Sequence, residues 1–165
     1  MIGDRWGVSD AEIQRHYPCD DYVPSPVMQA WRGVTVRAPA SQVWPWVAQI
    51  RLAPYSYDWI DNLGHRSPQT LRNLPAPRVG EAFTTALGRR LGCILEIDEG
   101  VALTGRIAHT TISYVLVEQS TSTRLLMKIA ARSGRLTAPA LCIGDLVMAR
   151  RQLLNLRRLA EAAPR

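Results

Sequence analysis

The feature that most limits the fold of this chain is an apolar stripe near its C-terminus. Cys142, Leu146, Ala149, Leu153, Leu156 and Ala160 recur at steps of four and three, the spacing that places side chains on one face of an α-helix. Arg151, Asn155 and Arg158 fall on the other side. Thr137 can cap such a helix, and Pro139 suits its first turn. A stripe about six turns long needs a long apolar partner. A basic amphipathic helix can instead lie on a membrane or bind another protein, but the rest of the chain builds a sheet that has no other cover.

From Glu81 onward the hydrophobic period is two. Strands are expected over 81–87, 92–98, 101–108, 111–118 and 123–131. Leu95 and Ile97 should face inward, with Glu96 outward. Ile112, Tyr114 and Leu116 alternate with Ser113, Val115 and Val117, and Leu125, Met127 and Ile129 with Leu126 and Lys128. Asp98-Glu99-Gly100 and Gln119 to Ser122 are short turns, so neighbouring strands must pair antiparallel. Upstream, Val34, Val36 and Ala38 alternate with Thr35 and Arg37, a half-buried strand over 33–38. Ala38-Pro39-Ala40-Ser41 then opens a helix carrying Val43, Trp44, Trp46, Val47 and Ile50, with Pro45 early enough to be tolerated. A second short helix is expected from Tyr57 to Leu63, with Gly64 as its stop.

The order is strand, two helices, five strands, long helix. This predicts an α+β domain in which a curved antiparallel sheet of about six strands wraps the long helix, a helix-grip arrangement. One helix is only about 10–12 Å across and cannot fill a strongly curved sheet. The two short helices plug one end, and a cavity should remain near them and the Pro-rich loop 65–80. Loops of that length are often lids or binding loops; the alternative is a passive connection.

At 165 residues one domain is expected, with 1–32 an N-terminal arm and 33–165 the core. Ser9-Asp10-Ala11-Glu12 reads as a capped helical turn, and Pro18, Pro24 and Pro26 keep the following chain extended. No stretch reaches the roughly 18 apolar residues of a membrane span. The first residues include Asp4, Arg5, Asp10 and Glu12, so a cytoplasmic protein without integral membrane association is expected. Cys19, Cys93 and Cys142 are far apart and form no CxxC, so neither metal nor cofactor is expected. The net charge is +6, but the arginines are scattered and paired only at 89–90, 150–151 and 157–158. No aromatic residues interleave with them as a stacking platform would require, so nucleic-acid binding is not expected. Oligomeric state is left open.

The chain resembles the START-like, Bet v 1-like superfamily, the SRPBCC proteins that include polyketide cyclases/dehydrases and lipid-transport proteins. Val36 to Val47 resembles the strand-to-helix opening of that superfamily. Tyr55 to Leu63 resembles a signature of one bacterial branch, as do Arg5-Trp6-Gly7 and Pro18-Cys19-Asp20-Asp21. Thr123-Arg124-Leu125 resembles the start of its last strand, and Arg150 to Glu161 the end of its closing helix. Cys19 stands where the branch has glycine, Gln49 to Pro54 lacks the glycines found there, and Ile112 stands where Trp is frequent. The resemblance implies an apolar-ligand pocket and no shared catalytic set.

No nucleophile elbow, phosphate loop or HExxH occurs. His65 lies near the expected mouth and could act as a base. Asp58 and Asp61, three apart, could share a helix face. Tyr57 and Tyr114 are the best polar handles. The expected cavity residues are Trp44, Tyr55, Tyr57, Trp59, Leu63, Leu95, Ile97, Leu103, Ile112, Tyr114, Leu116, Leu125, Met127, Cys142, Leu146, Ala149 and Leu153, aromatic and aliphatic walls of the kind that hold an apolar small molecule. The leading expectation is a binding module for a hydrophobic or amphipathic, lipid- or polyketide-like ligand. The alternative is a cyclase/dehydratase-type enzyme moving protons with Tyr57, Asp58 or His65, and a third is an interaction domain with a vestigial cavity.

Overall fold

The computed structural model describes residues 3–61, 64–132 and 138–162, without the side chains of 60–61 and 138–146. The elements in order are β1 (Arg5–Trp6), α1 (Asp10–Gln14), α2 (Pro18–Tyr22), β2 (Met28–Val36), α3 (Ala40–Ala48, continued by a 3-10 turn to Arg51), α4 (Asp58–Asp61), β3 (Thr84–Ala86), β4 (Arg89–Leu91), β5 (Cys93–Asp98), β6 (Ala102–Ile107), β7 (Thr110–Glu118), β8 (Thr123–Ala131) and α5 (Ala138–Ala162). The main sheet has the order β1-β2-β8-β7-β6-β5. It is the expected α+β arrangement, with α5 packed along β2 and against α3.

Alternation decides which face each strand residue takes. Ile112 pairs with Ile129, Tyr114 with Met127 and Leu116 with Leu125, and all six belong to or pack on the core beneath α5. On α5 itself Ala149, Leu153, Leu156 and Ala160 are buried in that core. Cys142 and Leu146 carry side chains outside the described residues, and the expected cap Thr137 lies outside them altogether. Truncating a fully buried core leucine such as Leu153 to alanine costs about 3–5 kcal/mol in comparable cores.

Four sequence expectations need correction. The sheet is mixed, because β1 pairs parallel with β2, and two residues carry too little pattern to be read as a strand. β2 begins at Met28, five residues before Gly33, and its register sets the fully buried Arg32 opposite Met127 on the inner face. Arg32 Nη1 donates to the carbonyls of Asp4 and Trp31. The expected strand 81–87 does not join the main sheet: Leu87 and Gly88 both take positive φ, folding β3 back on β4 as a separate hairpin. In β5 the register slips between Ile94 and Glu96. Leu95 is the extra residue of that bulge, so the buried Ile94, not Leu95, joins Ile97 on the core side. Glu96 faces outward as expected and accepts from Tyr22 Oη at 3.2 Å.

The N-terminal segment covers the outer face. Ser9 caps α1 in a reciprocal box with Glu12. Tyr17, Cys19 and Val23 pack on Ala102, Val115, Leu126 and Ala130. Gly7, at φ +67°, passes so close to β2 that a Cβ there would lie 2.2 Å from the Gly33 carbonyl oxygen. The loop 65–80 is pinned at several points. The buried Gln49 amide donates to Tyr55 Oη at 2.6 Å and the Thr70 carbonyl at 3.1 Å, and accepts from the Arg72 N–H at 2.6 Å. Arg51 reaches Glu81 at 2.8 Å and the Pro75 carbonyl at 2.6 Å. Among the described residues, no helix is long and apolar enough to cross a membrane.

Candidate functional site

Between the inner face of the sheet and α5 lies a cavity of about 230 Å³. β6, β7 and β8 supply Ile107, Ile112, Tyr114, Met127 and Ile129 to its floor; α5 covers it with Met148, Ala149 and Gln152. The end of α3 and the chain after it contribute Ile50, Pro54 and Ser56, and the segment entering the hairpin contributes Phe83 and Thr84. Thr84 is anchored by donating to the Ile50 carbonyl at 2.8 Å. The single phenylalanine of the chain is seated there by a glycine: a Cβ on Gly105 would lie 2.0 Å from the Phe83 ring. Phe83 in turn packs on the Tyr114 ring at 6.2 Å.

The walls are mostly apolar, with one polar relay. Tyr114 Oη donates to Gln152 Oε1 at 2.6 Å, and Gln152 Nε2 donates to the Pro54 carbonyl at 2.6 Å. One turn on, Asn155 Nδ2 donates to the Tyr55 carbonyl at 2.8 Å. Two amides of α5 thus clasp residues 54–55. Tyr55 itself takes φ +56°, a left-handed backbone that a bulky side chain adopts only when its surroundings impose it. Its ring is buried edge-on to Trp46, and burial raises its phenol above the ordinary value.

Of the residues expected at the cavity, Ile112, Tyr114, Met127 and Ala149 line it. Trp44, Tyr55, Leu103, Leu116, Leu125 and Leu153 are buried in the surrounding core, and Ile97 is half-buried against it; they support the walls without lining them. Leu63 lies outside the described residues, as do the side chains of Cys142, Leu146 and Asp61. Tyr57, Asp58 and Trp59 line a second groove outside α5, which meets the inner cavity at Ser56. Asp58 is engaged there, accepting from Ser67 N at 2.9 Å and Ser67 Oγ at 2.5 Å. Trp59 is 74% exposed, and His65 is exposed and lines neither space. The three acid–base candidates therefore do not gather on the inner cavity. Among the lining residues that sequence reading missed are Phe83, Ile107, Ile129, Met148 and Gln152. A glycine inside an alternating strand, Gly105, was the one signal that a neighbour approaches closely.

No family model matches the chain, and no curated sequence does. Solved structures do. A structural-genomics protein from Mesorhizobium loti is 15% identical with a TM-score of 0.56, over 83% of this chain and 99% of that one. Another from Nitrosospira multiformis is 12% identical with a TM-score of 0.59, over 79% and 94%. A third, from Nitrosomonas europaea, is 14% identical with a TM-score of 0.53, over 82% and 95%. At such identities the likeness is one of fold: the chain shares the α+β sheet-and-helix architecture of these proteins.

Proposed function

We propose that this protein is a SRPBCC-type binding module that encloses a small apolar or amphipathic molecule between its sheet and α5. The observation that carries the reading is the cavity itself: apolar, placed between the sheet and its covering helix, and furnished with a polar pair, Tyr114 and Gln152, able to orient one hydroxyl or carbonyl. Its size narrows the ligand. An apolar cavity of about 150 Å³ takes one benzene, so 230 Å³ suits about ten non-hydrogen atoms. That is the volume of one ring with a short tail or of a short acyl chain.

A series of para-alkylphenols titrated into the purified chain tests this. Each added methylene should tighten binding about fourfold, from about 0.8 kcal/mol apiece, until the cavity is full, after which affinity should fall. Ala149→Leu, which adds bulk to the lining, should abolish the series. Saturable binding that ignores chain length, or that survives Ala149→Leu, would place the ligand elsewhere, and absence of binding would end the reading.

A further inference from the structure

A second concave surface, a groove of about 1240 Å³, runs along the exposed side of the C-terminal half of α5. Arg151, Leu154, Asn155, Arg158 and Ala162 are three and four residues apart and form one wall about 16 Å long. Arg157 and Glu161 flank them. The facing wall is Ser56 to Trp59 with Gly64, Arg66 and Gln69. Four guanidinium groups therefore share one groove with two carboxylates.

The carboxylates are held by other partners. Asp58 is engaged by Ser67, and Glu161 Oε1 accepts from the Arg37 backbone N–H at 2.9 Å. Among the described residues none of the four arginines makes an ion pair. Arg151 lies over the Tyr57 ring at 5.7 Å, and Arg158 donates to Gln69 Oε1 at 2.6 Å. A merely solvated helix face is usually laced by opposite charges four apart; Arg157 and Glu161 have that spacing and do not pair. Beside the arginines Trp59 keeps 74% of its surface exposed. In sequence no aromatic interleaves with the basic residues. In space Tyr57 and Trp59 come from one wall and three of the arginines from the other.

We propose that this groove binds a phosphate ester bearing a planar ring, of the nucleoside diphosphate class. Guanidinium forks match phosphate oxygens in pairs, and an exposed indole is a stacking surface for a ring. The charges line a hollow, which suits a ligand that enters it better than a flat bilayer does. The groove borders the inner cavity at Ser56 but does not rest on the reading given to that cavity.

Calorimetric titration of the full chain with ADP tests the assignment, with inorganic pyrophosphate and adenosine as partial ligands. ADP should bind saturably, at least about tenfold tighter than either fragment, a gap of about 1.4 kcal/mol. Added salt should weaken it. R151Q/R158Q should weaken both ADP and pyrophosphate at least about tenfold, with circular dichroism confirming that the variant folds. W59A should weaken ADP and leave pyrophosphate unchanged. Several results would overturn the proposal: no saturable heat at millimolar ADP, ADP binding intact in R151Q/R158Q, sedimentation with phosphatidylglycerol vesicles in the absence of ADP binding, or oligonucleotide affinity that keeps rising beyond three nucleotides.

Discussion

The two faces of the sheet are built from the same alternating strands and closed in opposite ways. On the outer face polar groups are buried and, the Trp31 indole N–H apart, matched. Lys128, 5% exposed, pairs with Asp20 and lies 5.6 Å from the Tyr17 ring centre and 5.1 Å from that of Trp31. Cys19 N donates to Ser113 Oγ at 2.8 Å, and Ser113 Oγ lies 2.8 Å from Thr104 Oγ1. Burial pushes the Cys19 thiol up to about 11, which makes it an inert packing residue. On the inner face the groups are mostly apolar, the buried Arg32 apart, and the Tyr114–Gln152 relay spans a cavity. A matched polar network fixes one arrangement and leaves little slack; an under-filled apolar face leaves volume for a guest.

Removing Lys128 attacks the closed face directly. Lys128→Ala leaves Asp20 without its cation and empties the space between two rings, so unfolding in urea should show a loss of about 3 kcal/mol. The pair is not wholly buried, since the Asp20 side chain keeps 25% exposure, which holds the expectation at the low end of the range for buried pairs. Lys128→Met keeps the stem and should recover part of it. A loss under about 1 kcal/mol in the alanine variant would mean that the ion pair behaves as a surface one.

The same added volume should separate the faces. Ala130 is fully buried beneath the N-terminal segment, so Ala130→Leu should cost about 2 kcal/mol by overpacking. Ala149 borders empty space, so Ala149→Leu should change stability by less than about 1 kcal/mol in either direction. Equal penalties would show that the inner face is as full as the outer.

How much of this was legible follows from how strongly each segment states its period. β7 and β8 are long alternating runs without glycine or proline, and their inner residues were read correctly. The buried residues of α5 from Ala149 to Ala160 follow the same logic with the helical period. The outer network was not legible, because Asp20, Lys128, Ser113 and Thr104 are ordinary surface types in sequence and meet only once the N-terminal segment folds back. Arg32 hid the first half of β2 by breaking its apolar alternation. Leu87-Gly88 carries no Asn-Gly or Asp-Gly signature, so the hairpin it closes was read as one strand. That error concealed the cavity wall, since it misplaced Phe83. Two of the catalytic candidates, Tyr57 and Asp58, came from a short expected helix whose exposed side could not be told from its buried side over so few residues.

The inner relay carries a smaller expected effect. Tyr114→Phe deletes the hydroxyl that donates to Gln152 Oε1 at 2.6 Å and leaves that oxygen short of a donor. The cost should be about 1 kcal/mol, and affinity for a hydroxyl-bearing probe should fall while that for the matching alkylbenzene should hold. A parallel fall for both probes would mean that the hydroxyl shapes the cavity and does not orient the guest.

The smallest effect lies at the rim of the closed face, where Glu12 meets Arg124. The guanidinium holds it at two points, Nε to Oε1 at 2.8 Å and Nη2 to Oε2 at 2.9 Å, and the Ser9 N–H donates to Oε2 at 2.8 Å. Burial alone pushes this carboxyl upward, but Arg124 and Ser9 outweigh it and hold the group below 4.5. The ionised form is therefore bound more tightly in the folded chain than in the unfolded one. Its contribution is complete above the unfolded value, near 4.5, and disappears as pH falls through the lower folded value. Because the pair is partly solvated, Glu12→Gln should cost no more than about 1 kcal/mol at pH 7. Urea midpoints of the two proteins should converge as pH drops from 5 toward 3. A gap that stays constant across that range would assign the contribution to the capping hydrogen bonds, which glutamine partly keeps, and not to the charge.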